Sequence, residues 1–194
     1  MKKIAKLFGL LLVAGALLTG CQQNVDIVTD DISLSSGKWD VYYKYTASET
    51  ENMYGVSVKL SFTQESKGTI SVSGDSCTTL SQTSTMSETM TFPEGTPQAT
   101  LDAALAEAKE EISSATLNGL VISASETETA TAAELEEMNK KSSKVSDFKK
   151  TFPEHSLIKT NKKKTEYAIS YEKANSKDGV EVSKETWKAT LKKQ

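Results

Sequence analysis

Residues 54–63 read YGVSVKLSFT, and this stretch indicates the fold class. Apolar side chains stand at positions 54, 56, 58, 60 and 62, and small, polar or charged residues stand between them. A period of two, built from aromatic and β-branched residues, predicts a strand with one buried face and one solvated face. That alternation is typical of an antiparallel sheet, so we expect this strand to pair with neighbours in hairpins.

Similar alternation predicts further strands on both sides of this stretch. They centre on residues 39–45, 70–73, 86–92, 120–122, 157–158, 167–172 and 180–191. Residues 65–68, which read ESKG, are predicted to form a turn between two of them. The apolar positions change from even to odd between Val182 and Trp187, and this change predicts a β-bulge.

Two segments change to a helical period. Leu101, Leu105 and Ala108 fall on one face of a predicted helix near 97–115, with Pro97 at its first position. A capping box, Thr131-x-x-Glu134, opens a second helical segment near 131–150. The sequence therefore predicts an α+β fold, predominantly antiparallel β sheet with two helical segments, as a single β-rich domain over residues 37–194.

The first 20 residues have the features of an export signal. Three lysines precede a run from Leu7 to Leu18 that is almost wholly apolar. This run is shorter than the roughly 20 residues that a membrane-spanning helix needs. It ends in Leu18-Thr19-Gly20-Cys21, which resembles the lipobox of bacterial lipoproteins. The alternative is a cysteine that follows a signal or an N-terminal anchor by chance.

The lipobox resemblance implies a membrane anchor without a membrane span. Residues 1–20 would be the lipoprotein signal peptide, and Cys21 would carry a diacylglyceryl group on its sulfur. Residues 21–36 are then expected to be a polar tether that holds the domain outside the cytoplasm, at the cell membrane or an outer membrane. Gln22 follows Cys21, and an Asp there would imply retention at the inner membrane. Both membranes stay open as locations.

Gly37-Lys38-Trp39 lies at the start of the first strand of this β-rich domain. It resembles the Gly-x-Trp signature of lipocalins, which implies a barrel of eight strands whose floor is closed by the Trp. In that family an arginine packs over the Trp, and this chain contains no arginine.

Two function classes follow from these patterns. The first is a non-enzymatic protein that binds a small apolar or amphipathic ligand in a cup. The alternative for the same residues, and the one that their composition favours, is an ordinary filled core. The residues predicted to line the cup are Trp39, Val41, Tyr43, Val56, Val58, Leu60, Tyr167 and Ile169. The second class is a surface interaction or adhesion module that contacts envelope or host proteins without a cavity.

Catalytic and metal chemistry is not expected. The lone His155 falls in a predicted exposed connector, and no nucleophile, base and orienting group can be assembled around it. With Cys21 lipidated, Cys77 has no disulfide partner, and it is interpreted as a buried small residue or as a reactive thiol. Acidic pairs such as Glu110-Glu111 fall on solvated helix faces. We expect no cofactor, no metal and no nucleic acid partner.

Charge is distributed unevenly along the chain. Residues 21–138 hold 5 lysines and 19 acidic residues, whereas residues 139–194 hold 15 lysines and 7 acidic residues. One interpretation is that the two parts form complementary surfaces of one fold. The other is a basic face that turns toward anionic lipid, where lysines are attracted to the negative surface potential.

Overall fold

One antiparallel sheet of nine strands organises the protein. A computed structural model of the chain describes residues 27–29, 31–177 and 180–194. Its strands are β1 (Ile27–Thr29), β2 (Gly37–Met53), β3 (Val56–Ser73), β4 (Ser76–Thr91), β5 (Thr116–Asn118), β6 (Val121–Thr129), β7 (Leu157–Thr160), β8 (Glu166–Lys177) and β9 (Val180–Lys193). The helices are α1 (Gln98–Glu111), α2 (Ala132–Lys141) and α3 (Val145–Lys149). The prediction of a mostly antiparallel sheet with helical segments is confirmed.

The strand order is β1-β7-β8-β9-β2-β3-β4-β6-β5. Within the described residues the sheet does not close into a barrel, so β1 and β5 form its two edges. The lipocalin-like barrel that Gly37-x-Trp39 implies is therefore unconfirmed. No helix among the described residues is long and apolar enough to cross a membrane.

The long central strands continue through segments that the sequence predicts differently. Residues 65–68 lie in the middle of β3 and pair with both β2 and β4, so the predicted turn is wrong. Glu65 and Lys67 lie on the solvated face, and Ser66 is fully buried on the other face. The two-residue turn falls instead at Tyr54-Gly55, where both residues have positive φ, as a tight hairpin requires.

A β-bulge occurs close to its predicted position. The register between β8 and β9 shifts where Asn175 faces Ser183 and Ser176 faces Glu181, which leaves Val182 as the extra residue. Beyond the bulge Trp187, Ala189 and Leu191 all lie on the buried face. This bulge explains the change of apolar parity along β9.

The apolar side chains form two clusters on the same face of the sheet. The first cluster lies at the end where β2 begins, and it contains Trp39, Ile70, Phe148, Tyr167 and Trp187 among others. The second lies at the opposite end beneath α1, and it contains Val58, Phe92, Leu101, Ala104 and Ile122. Between them the same face of β3 and β4 carries the buried polar residues Gln64, Ser66 and Gln82.

The segment before β2 joins the fold instead of extending away from it. β1 pairs with β7, and Ile32 and Leu34 are buried in the first cluster. The hydroxyl of Tyr167 accepts a hydrogen bond from the Ser33 backbone N–H at 3.0 Å and donates one to the Ser33 carbonyl at 2.8 Å. A tether can therefore include at most residues 21–26, which lie outside the described residues, as does the predicted signal peptide.

Candidate functional site

A groove of about 720 Å³ lies between the buried face of the sheet and α2. Its floor comes from β3 and β4, one side comes from the end of β6, and α2 and α3 cover it. Apolar side chains in the groove include Val41, Phe62, Met86, Met138 and Phe148. The polar middle of the sheet face, which separates the two apolar clusters, forms the floor of this groove.

Helix α2 is held at the free edge of β4 by hydrogen bonds, and a cap fixes its first turn. The Asn139 side chain accepts from the Thr79 N–H at 2.7 Å and donates to the Thr79 carbonyl at 3.0 Å. The predicted capping box is confirmed, because the Thr131 hydroxyl accepts from the Glu134 N–H and the Glu134 carboxylate accepts from the Thr131 N–H. These contacts hold the roof of the groove at a fixed place relative to its floor.

The groove floor contains a buried amide with an unsatisfied acceptor. Gln82 is 8% exposed, and its Oε1 has no hydrogen-bond partner among the described residues. Its Nε2 donates a long bond of 3.4 Å to Ser84 Oγ, which also lies 2.5 Å from Ser66 Oγ. Leaving a buried acceptor unpaired costs about 1–3 kcal/mol, so a donor placed in the groove would recover part of that energy.

The rim of the groove is acidic. Glu126 and Glu128 stand on β6, Glu134 and Glu137 stand on α2, and Lys141 is the basic residue among the described lining residues. Lys141 already forms an ion pair with Glu137. Hydrogen bonds from Thr131 lower the pKa of Glu134, so its carboxylate stays charged at neutral pH. An anionic ligand would therefore meet repulsion at this rim.

Cys77 is buried at the apolar end of the groove. Burial raises the pKa of its thiol to about 11, so the thiol is protonated at neutral pH. Its N–H donates to the Ser143 carbonyl at 2.9 Å, which ties β4 to the segment between α2 and α3. Of its two predicted roles, the buried small residue fits this environment, because nucleophilic thiols need a depressed pKa.

The eight residues predicted to line a cup do not surround one space. Trp39, Val41, Tyr43, Tyr167 and Ile169 belong to the first cluster. Val58 belongs to the second cluster, and Val56 and Leu60 pack against it. Within that set, only Val41 lines the groove.

The groove residues that sequence reasoning missed are mostly polar. Gln82, Ser84 and Thr79 carry no apolar alternation, and α2 is far from them in sequence. The one available signal was an interruption of the alternation: positions 64, 66 and 68 of β3 hold Gln, Ser and Gly where an apolar series would continue.

The remaining candidates for chemistry do not assemble into a site. His155 is exposed beside a second, open hollow of about 510 Å³, together with Asp31 and Lys149. The part of the chain that the structure describes holds no group of three or more His, Cys, Asp or Glu residues that could bind a metal ion. On α2, Glu136 pairs with Lys140 as Glu137 does with Lys141.

Comparisons of the chain with protein families, with curated proteins and with solved structures found no match. The interpretation of the groove therefore depends on its own geometry and chemistry.

Proposed function

We propose that this chain is a membrane-anchored extracytoplasmic lipoprotein that binds a small amphipathic ligand in the groove beneath α2. The observation that carries the proposal is the buried Gln82, whose Oε1 lacks a partner in the floor of a groove of about 720 Å³. Ligand pockets are typically concave and mostly apolar with a few placed polar groups, and their volumes are about 300–1,000 Å³. The groove falls within that range of volume, and it combines apolar side chains such as Phe62 and Met138 with a polar floor.

The acidic rim defines the class of ligand further. A neutral or cationic head group suits Glu126, Glu128 and Glu134, whereas an anionic head group does not. An apolar tail suits the side chains of Phe62, Met86 and Met138. The ligand class is therefore an amphipathic molecule with a neutral or positively charged donor group.

The relation to lipocalins is part of this proposal. Its support is Trp39, which lies near the start of β2, and whose indole is fully buried as the resemblance implies. This support does not extend to a closed barrel, since the described strands form an open sheet.

Titration with the neutral apolar dye N-phenyl-1-naphthylamine tests ligand binding. We expect saturable fluorescence with one site per chain, and competition that is stronger from decyltrimethylammonium than from decyl sulfate. Ser84→Leu narrows the groove and should weaken dye binding by about tenfold. Thr85→Leu is the matched control, because residue 85 is the next residue of β4 and lies on the opposite face of the sheet.

Two results would overturn the ligand proposal: dye binding that does not saturate, or equal affinity for wild type and a folded Ser84→Leu variant. The surface interaction module without a cavity would then be the better description. Met138→Trp, which fills the groove from α2, provides a second variant if Ser84→Leu does not fold.

The lipid anchor has its own experiment. Metabolic labelling with a palmitate analogue should mark the wild-type protein, and Cys21→Ala should remove the label. Equal labelling of both proteins would contradict the lipoprotein assignment and leave the groove unaffected.

A further inference from the structure

Three consecutive exposed lysines stand next to the point where the described chain begins. Lys162, Lys163 and Lys164 lie in the turn between β7 and β8. The pairing of β1 with β7 sets Ile27 opposite Thr160, two residues before Lys162. Ile27, the first described residue, therefore lies beside this turn, called here the lysine turn (residues 161–165).

The lysine turn is held in shape by Asn161. Its carbonyl accepts from the Lys164 N–H at 2.9 Å, and its Oδ1 accepts from the Thr165 N–H at 2.9 Å. Its own N–H donates to the Glu166 carbonyl at 3.2 Å. The three lysines are thus presented together by an ordered backbone.

The lysines of this turn form no ion pair with the described residues around them. None of the ion pairs found in the described chain includes Lys162, Lys163 or Lys164. Asp31 forms an ion pair with Lys149, and the charge of Lys164 is also close enough to help lower the pKa of Asp31. Glu166 and Asp40 are acids at this end of the strands, while Lys159, Lys192 and Lys38 add positive charge there.

The opposite end of the sheet carries more acidic than basic side chains, with Lys59 and Lys109 outnumbered there. Strand β2 ends there with Glu49 and Glu51, and α1 packs there with Glu107, Glu110 and Glu111. Among the described residues the sheet therefore has a basic end, where Ile27 lies, and an acidic end away from it. The uneven charge along the sequence becomes a separation of charge in space.

The segment between Cys21 and β1 is short. Five residues, 22–26, separate Cys21 from β1. They reach at most about 18 Å when fully extended, so a lipid on Cys21 holds the lysine turn near the bilayer. Anionic lipid head groups attract lysines within roughly a Debye length of the surface.

We propose that the lysine turn docks on the anionic lipid surface next to the anchor and orients the domain with its acidic end away from the membrane. The proposal rests on the proposed anchor at Cys21 and does not depend on a ligand in the groove. Its partner is the bilayer itself, which the chain would contact through Lys162, Lys163 and Lys164.

Lipidated full-length protein in vesicles tests this orientation. A fluorophore is placed on Lys163→Cys or, as the distal reference, on Glu94→Cys, both in a Cys77→Ser background. Quenching by nitroxide-labelled lipid is then measured in vesicles of phosphatidylglycerol with phosphatidylcholine and in vesicles of phosphatidylcholine alone. We expect at least about twofold stronger quenching at position 163 in the anionic vesicles, no such change at position 94, and loss of the difference at high salt.

Charge reversal provides the matched comparison. Lys162→Glu with Lys164→Glu should remove the extra quenching at position 163, whereas Lys59→Glu with Lys109→Glu makes the same charge change elsewhere and should preserve it. Equal quenching at positions 163 and 94 in anionic vesicles would overturn the docking proposal. Failure of the protein to float with either vesicle type would instead contradict the anchor, so the two failures are distinguishable.

Discussion

Trp39 has no exposed surface and contacts both the segment before β2 and strand β8. Its Nε1–H donates to the Ser35 carbonyl at 2.9 Å, and its ring lies 6.1 Å from that of Tyr167. Truncation of a buried Trp to Ala costs about 3–5 kcal/mol. We therefore expect Trp39→Ala to lower the free energy of unfolding by that amount, measured by urea denaturation, and Trp39→Phe to lower it less.

The control for Trp39 is Leu157→Ala. Leu157 is 45% exposed, so its truncation should change stability by no more than about 0.5 kcal/mol. A Trp39→Ala protein as stable as wild type would contradict the burial of Trp39 and, with it, the support for the Gly-x-Trp resemblance.

The buried Cys77 thiol should make the stability of the protein depend on pH. Its folded pKa of about 11 lies above the ordinary value of 9.0 because burial disfavours the thiolate. The folded state thus keeps a proton that the unfolded state loses, so this contribution to stability is complete below pH 9 and is lost as the pH rises toward 11. Denaturation across that range should show a fall in stability that is smaller for Cys77→Ala.

The rate at which Cys77 reacts with a thiol reagent is a second test of its burial. Iodoacetamide should modify Cys77 slowly at pH 8 in the native protein and rapidly in urea. Native-state modification as fast as that of a free thiol would contradict its burial.

At the scale of elements, β3 shows where the sequence was misleading. Residues 65–68 have the composition of a turn, yet hydrogen bonds to strands on both sides keep them extended. Gly68 fits there because β4 bulges toward it: a Cβ on Gly68 would lie 2.2 Å from the Ser81 carbonyl oxygen. Glycine in a strand interior often marks such a close approach of another backbone.

This contact predicts the effect of Gly68→Ala. The added methyl group meets backbone, which cannot rotate away as a side chain can, so we expect a loss of about 1–3 kcal/mol in the free energy of unfolding. Thr63→Ala, on the solvated face of the same strand, is the control and should lose less. Equal stability of Gly68→Ala and wild type would show that β4 approaches β3 less closely.

The elements with a clear period were predictable. The alternation around Val56 and Val58 gave strands, and the capping box placed the start of α2 within one residue. The groove was not predictable, because Asn139 and Thr79 are 60 residues apart in sequence and only the fold brings α2 beside β4. β1 was missed for a similar reason, since three residues with no clear alternation form a strand only against β7.

At the scale of the whole molecule, two separate apolar clusters share one sheet. Strands β2 and β3 run through both clusters, with 17 and 18 residues. The polar groove floor between the clusters contributes little hydrophobic stabilisation. We therefore expect the continuous ladder of backbone hydrogen bonds and cross-strand pairs to couple the two clusters during unfolding.

Trp39 and Trp187 both lie in the first cluster, so Trp fluorescence reports the unfolding of that end alone. Leu101 lies in the second cluster beneath α1, and Leu101→Ala should cost about 2–5 kcal/mol there. We expect this variant to lower the midpoint seen by Trp fluorescence as much as the midpoint seen by circular dichroism, because the sheet unfolds as one unit. Asp102→Ala, exposed on the same helix, should change neither midpoint.

If Leu101→Ala left the fluorescence midpoint in place while circular dichroism showed two transitions, the groove would be the boundary between two units that unfold independently. Ligand binding would then stabilise chiefly the contact between those units.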